Sequence, residues 1–191
     1  MTEGEKALAG LEFKKGDPEL RKLRERAESL CFGFNHTPPE EGEMRQALLR
    51  ELIPDMGDGC TVKPPFLCDY GCFIHMGRNV FLNYGCKLVD GGAINLGNDV
   101  LIGPGCTITT ANHAINPRRR NEGYMRLMPV TIEDNVWIGA DVTICPGVTI
   151  GRDSVIGAGS VVVKDIPEGC IAVGNPCRVI GKTTEKEFQK K

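Results

Sequence analysis

Residues Val130 to Asp165 read VTIEDN VWIGAD VTICPG VTIGRD SVIGAG SVVVKD, and this stretch decides the fold. Val130, Val136, Val142 and Val148 recur every six residues. Ile132, Ile138, Ile144, Ile150, Ile156 and Val162 recur two positions later. Gly, Asp, Asn, Pro, Ser and Thr fill most of the places between. An amphipathic helix needs apolar residues three or four apart, and Gly and Pro at this density would break one. β-branched residues two apart put both side chains on one face of a short strand. The Gly, Asn and Asp positions supply a turn within the same six residues. Short strands with regular corners wind into a solenoid, in which each coil buries its apolar edge on the next. An ordinary β-sandwich gives no reason for so strict a spacing.

Outward from this block the same form returns. Ile74, Val80 and Cys86 are followed two positions on by Met76, Leu82 and Leu88. After a slip of two residues the beat resumes at Ile94, Val100 and Cys106, with Leu96, Ile102 and Ile108. It stops between about Thr110 and Met128, where TANHAINPRRRNEGYM carries polar, Pro and Gly residues. A loop thrown out of the solenoid is expected there, and loops on rigid scaffolds often carry binding and catalysis. Upstream, Asp17-Pro18 reads as an N-cap and first helical turn, followed by Leu20, Leu23, Ala27 and Leu30 at helical spacing. Thr37-Pro38 is expected to start a second helix, with Met44, Leu48 and Leu52 on one face. The division read from the chain is a helical cap over 1–56, a mainly β hexapeptide-repeat β-helix over 57–182 with its excursion at about 110–128, and a frayed polar tail over 183–191.

Composition narrows the function. Among 191 residues, 23 Lys and Arg face 25 Asp and Glu, which leaves no general basic footprint for nucleic acid. Arg118-Arg119-Arg120 reads as a solvated run. No apolar stretch approaches the roughly 20 residues that span a bilayer, and Met1 to Lys15 lacks the apolar core of a signal peptide, so a cytoplasmic protein without a membrane partner is expected. Nine Cys, an odd number, spread along the chain argue against a disulfide framework. The close pair Cys68 and Cys72 fits no strong zinc spacing; most of these Cys are read as small buried hydrophobes.

Taken in order, DPELRKLRERA, FN-x-TPP, PPFLCDYG, NVFLNYGCKLVD, TITTANH, VTIEDNVWIGADVTICPGVTIG, SVIGAGSVVVKDIP and GNPCRVI resemble the blocks of the maltose/galactoside O-acetyltransferase family over nearly the whole chain. That family's fold is a left-handed parallel β-helix with a helical cap. The resemblance implies acetyl transfer from acetyl-CoA to a hydroxyl of a sugar or sugar-like acceptor, by direct attack, in a homotrimer with sites between subunits, and without a metal. It makes His113 the general base, a role that suits an imidazole near pH 7. It puts Asn83 at the reacting hydroxyl and an oxyanion-binding backbone N–H near Ala140. Arg24, Asp69, Phe81, Asn83, Asp90 and Met125 fall on acceptor-contacting positions. Trp137, Ala140, Ala158, Val163, Lys164 and Arg178 fall on positions along the coenzyme. Trp137, the one Trp, serves equally as a trimer-interface anchor.

The acceptor positions depart from the family pattern. Phe13 is followed by Lys14-Lys15 where an acidic residue is common, Phe81 stands where the galactoside branch has Tyr, and the second member of an Asp-Asp pair is Gly91. Two other readings are possible on this scaffold. A metal enzyme like the γ-class carbonic anhydrases needs three His around a metal, and this chain has three His in all, His36, His75 and His113, with His36 in the cap. A non-catalytic β-helix serving assembly or binding would not require His113, Asn83, Trp137 and Lys164.

Overall fold

The computed structural model describes residues 1–185. The six-residue beat becomes a three-sided β-helix. Its first face stacks Asp55–Met56, Ile74–Met76, Ile94–Leu96, Val130–Ile132 and Thr149–Ile150 in parallel. The second stacks Thr61–Val62, Phe81–Leu82, Leu101–Ile102, Trp137–Ile138, Val155–Ile156 and Cys170–Val173. The third stacks Leu67–Cys68, Lys87–Val89, Thr107–Thr109, Thr143–Ile144 and Val161–Val162. Arg178–Lys182 folds back antiparallel on Cys170–Val173 and closes the end of the second face.

The two apolar phases of the repeat both point inward. Val80, Leu82, Val100, Ile132, Ile138, Val142 and Ile156 are all essentially without exposure. Burying each such side chain contributes roughly 1.5–3 kcal/mol. At the corners, Asn79, Asp99, Asn135, Asp141 and Asp153 sit at φ of 55 to 57°, the left-handed region that Asn and Asp tolerate better than other residues with a Cβ. Their side chains pair along the stack, Asn79 Nδ2 donating to Asp99 Oδ1 at 2.8 Å and Asn135 Nδ2 to Asp153 Oδ1 at 2.7 Å.

The corner leading from the third face back to the first differs from the other two. In the first turn it is Asp69 to Phe73, in the second Asp90 to Ala93, both longer than the repeat allows. In the third it is the whole excursion from Thr110 to Pro129. This segment is more ordered than a loop. Ala111–His113 and Tyr124–Leu127 form an antiparallel hairpin around a short helix at Pro117–Asn121, and Phe13–Lys14 adds a third strand beside Tyr124–Leu127.

The cap holds three helices, α1 (Glu3–Leu8), α2 (Pro18–His36) and α3 (Gly42–Leu52). Asp17 caps α2 as expected, its carboxylate accepting from the N–H groups of Glu19 and Leu20, and its other oxygen accepts from Gly4 N in α1. The second long helix does not start at Thr37-Pro38. Thr37 instead ends α2 with an extended backbone (φ −65°, ψ 127°), and its hydroxyl donates to Gly33 O at 2.7 Å. Each proline of Pro38-Pro39 forces the residue before it away from helical backbone, so α3 starts only at Gly42. Met44 is correspondingly exposed, and Leu49 and Leu52 bury the helix against the solenoid. Asn35 completes the joint by exchanging two 2.8 Å hydrogen bonds with the backbone of Phe66. Beyond Lys182, Thr183–Glu185 forms a 3-10 turn; the rest of the expected tail lies outside the described residues.

Candidate active site

The widened corner, the three-stranded sheet and helix α2 enclose a cavity of about 680 Å3. One wall is a single face of the sheet. Alternation along each strand turns Ala111 and His113, Met125 and Leu127, and Phe13 and Lys15 toward the cavity. In register, His113 lies opposite Met125, and Met125 opposite Phe13. The facing wall is the start of α2, with Leu20, Arg21 and Arg24. The floor is the corner itself, Asp69, Tyr70, Val89 and Gly91.

His113 is exposed at the sheet edge and lines both this cavity and a smaller hollow of about 320 Å3 that includes Ile115 and Arg126. His113 thus borders open space on both sides of its strand. Arg24 donates to the Tyr70 hydroxyl at 2.8 Å, lies 5.1 Å from the centre of that ring and 3.7 Å from Asp69 Oδ2. Burial pushes the Asp69 carboxyl above its ordinary range, against the pull of Arg24. Gly91 lies close under Leu127, where an added Cβ would meet Leu127 Cδ2 at 2.9 Å.

Of the expected acceptor residues, Arg24, Asp69 and Met125 therefore meet His113 in one cavity. Asp90 does not. Its side chain is fully buried, and its Oδ1 accepts from the N–H groups of Asp69 and Tyr70 at 2.9 Å each. It props the cavity floor from below and cannot touch an acceptor. Burial raises its carboxyl to about 6, although the backbone donors oppose the shift; its Oδ2 has no partner. Lys15, not Lys14, faces the cavity, because Lys14 falls on the other face of its strand. Arg21 and Tyr70 were not expected to line the cavity, and the helical spacing from Arg21 to Arg24 was the available signal; of the expected departures at the acceptor positions, Lys15 and Gly91 line it.

The remaining expected residues divide between two corners. Val163 and Lys164 lie at the same third-to-first corner as the cavity, two turns further on. Phe81 and Trp137 point outward from the second face, in one register row with Leu101 between them. Asn83, Ala140 and Ala158 stack at the corner that follows that face. There Gly159 N donates to Ala140 O at 2.8 Å, and Gly157 N to Ala172 O at 2.8 Å. A Cβ built on Gly159 meets nothing within 4 Å, so this ridge of small residues leaves backbone open beside the exposed Trp137. Arg178 is exposed near its end, one guanidinium nitrogen donating to Cys177 O at 2.8 Å. Neither Asn83 nor Phe81 lines the two hollows that His113 borders. The third face separates the two sets within one chain.

A shallow groove of about 420 Å3 on the first face lies away from His113. Its polar groups satisfy one another: His75 Nδ1 lies 2.7 Å from Asp55 Oδ2, Asn95 Nδ2 donates to Thr131 Oγ1 at 3.3 Å, and Arg152 lies within 4 Å of Glu133 and Glu168. Among the described residues no group of three or more His, Cys, Asp or Glu is arranged to hold a metal ion, and no helix is long and apolar enough to cross a membrane. The nine cysteines are free thiols. Burial pushes the Cys86 thiol up to about 12, as befits an inert core residue.

Comparison with known proteins agrees with this architecture. Residues 6–57 match the maltose acetyltransferase hexapeptide capping motif, and residues 129–164 match the bacterial transferase hexapeptide model of six repeats. The galactoside O-acetyltransferase of Escherichia coli strain K12 is 42% identical over 187 residues, covering 98% of this chain and 92% of that protein. The crystal structure of a maltose O-acetyltransferase from Clostridium difficile 630 superposes with a TM-score of 0.93 at 48% identity, covering 95% of this chain and 97% of that one. A galactoside acetyltransferase solved in complex with coenzyme A gives a TM-score of 0.94 at 40% identity, covering 100% of this chain and 96% of that one. The chain belongs to the maltose/galactoside O-acetyltransferase family of hexapeptide-repeat acyltransferases.

Proposed function

We propose that this chain moves an acetyl group from acetyl-CoA to a hydroxyl of a sugar-like acceptor, as a cytoplasmic homotrimer whose sites are shared between neighbouring copies. The observation that carries the reading is the split of the candidate residues between two corners of one solenoid. The cavity corner holds a base and an acceptor-sized space. The other corner holds an open ridge of small residues, an exposed Trp and an amide. Neither is a complete site. Docking the ridge of one copy against the cavity of the next unites them, and cyclic symmetry repeats the contact. The outward Phe81, Leu101 and Trp137 supply an apolar surface for it. Free thiols throughout suit a reducing compartment.

In this reading the acceptor enters the cavity beside Arg24, Asp69 and Met125, and its hydroxyl meets His113. Coenzyme A runs along the ridge past Trp137, Ala140 and Ala158 and toward Arg178, with Val163 and Lys164 supplied from the adjoining copy. His113 removes the hydroxyl proton as the oxygen attacks the thioester carbonyl. A backbone N–H near Ala140 meets the charge that develops on the carbonyl oxygen. Asn83 of the adjoining copy holds the reacting hydroxyl. His113 then returns its proton to the departing sulfur. Likeness to a galactoside acetyltransferase solved with coenzyme A supports the donor.

Turnover measured as coenzyme thiol release, over a panel of galactosides, glucosides, maltose and amino-sugar alcohols, tests the chemistry. Release that depends on His113 is the expected result. Absence of both turnover and acetyl-CoA binding would end the reading, and a sedimentation mass of one chain would end the shared site.

A further inference from the structure

The cavity carries more positive charge than its own carboxylates neutralise. Lys15, Arg21 and Arg24 line it against Asp17 and Asp69. Asp17 is already engaged by three backbone N–H groups, those of Gly4, Glu19 and Leu20. Asp69 and Arg24 lie 3.7 Å apart and offset each other. Arg21 has only a 4.0 Å contact with the exposed Glu25, a pairing of little worth in water. Lys15 enters no ion pair among the described residues. Its aliphatic stem lies against Gly123, where a Cβ would meet Lys15 Cγ at 3.0 Å, so the ammonium is carried on an anchored stem.

Position gives this charge a meaning. His113 and Lys15 share one face of the three-stranded sheet but stand on its opposite edge strands. Two strand spacings and two residues along separate their Cα atoms by about 12 Å. Met125 and Phe13 fill the row between them. The face thus reads base, apolar platform, cation. That order fits a ring with a hydroxyl at one end and a negative group at the other.

Resting on the acetyltransfer reading, we propose that the acceptor is an anionic sugar, whose carboxylate or phosphate is held by Lys15 and Arg21 while its hydroxyl faces His113 and its ring lies on Met125. The neutral acceptors of the panel then occupy the cavity without engaging its cations.

Matched pairs test this: a methyl glucoside against the corresponding methyl glucuronide, and glucose against glucose 6-phosphate, with the galactose equivalents. Two readouts are taken, kcat/KM by thiol release, and dissociation constants by calorimetry on His113→Ala protein saturated with acetyl-CoA. At low ionic strength the anionic member should be favoured about tenfold or more in both. The ratio should shrink with salt, approach one in a Lys15→Gln, Arg21→Gln double variant, and be kept by Lys15→Arg. The larger ratio, glucuronide or phosphate, identifies the group recognised. A neutral acceptor favoured in both readouts overturns the proposal and leaves acetyl transfer standing, as does a ratio the double variant does not move. Should no acceptor turn over and acetyl-CoA fail to bind, the acetyltransfer reading falls by itself, and calorimetry still decides between an anion-selective cavity and an indifferent one.

Discussion

The same corner of the solenoid appears in two forms. In the fourth turn, between Ile144 and Val148, it is the plain Cys145-Pro146-Gly147 turn of the repeat. In the first three turns it swells, by two residues, by two again, and then by a hairpin with its own helix. In that turn the plain form only stacks. The swollen form carries His113, Asp69, Gly91 and the buried Asp90. At this corner the regular residues hold the scaffold, and the departures from regularity hold His113 and its cavity. Substitutions in the two regions should therefore fail in opposite ways.

The largest contrast is between His113→Ala and Ile138→Ala. Loss of the proposed base should cut kcat by about 10²–10⁴ with little change in melting temperature, because His113 is exposed. Truncating Ile138, which has no exposure, should cost about 2–5 kcal/mol of stability, read from the denaturant midpoint, with per-molecule activity retained in the folded fraction. Destabilisation by His113→Ala comparable with that of Ile138→Ala would erase the distinction.

How much of this was legible follows the same line. The solenoid could be read because strand, corner and stacking all repeat, so each residue is specified six times over. The slip between Leu88 and Ile94 marks the site corner, and it is the same kind of irregularity as the excursion. Asp90 departs from the expectation because two backbone N–H groups turn its carboxylate inward, and a sequence gives no inside to a widened corner. Lys14 and Lys15 look equivalent until a partner strand fixes the alternation, and that partner lies more than a hundred residues away. The helix start at Thr37-Pro38 failed on the second proline. The proposed union of Asn83 with His113 would involve a second copy and has no local signature.

Asp90 sharpens the comparison through pH. Its carboxyl moves from an ordinary 3.8 to about 6 on folding because of burial. Between those values the folded state holds a proton that the unfolded state has lost, so stability falls as pH rises, and the penalty is complete above about pH 6. Roughly two units correspond to about 3 kcal/mol. Asp90→Asn keeps an acceptor for the Asp69 and Tyr70 N–H groups and removes the titration. The stability of the variant minus that of the wild type, from urea midpoints, should therefore rise by about 2 kcal/mol between pH 4 and pH 7, the rest of the change lying below pH 4. A difference that stays flat would mean that the buried carboxyl titrates normally and that the floor is looser than its burial indicates.

The smallest effect separates geometry from hydrogen bonding at a plain corner. Asn79 sits at φ 57° and donates to Asp99 Oδ1 at 2.8 Å. Asn79→Ala loses the bond and keeps a Cβ in left-handed backbone, which costs about 1–2 kcal/mol more than glycine would in that conformation. Asn79→Gly loses the same bond but relieves the backbone, at some cost in unfolded-state entropy. If conformation rules the corner, glycine should be the more stable variant by about 1 kcal/mol, and both should leave acetyl transfer and its pH dependence alone. If the side-chain ladder rules it, the two variants should be equally destabilised. The repeat would then choose Asn and Asp at these positions for the pairing from coil to coil, more than for the turn each one makes.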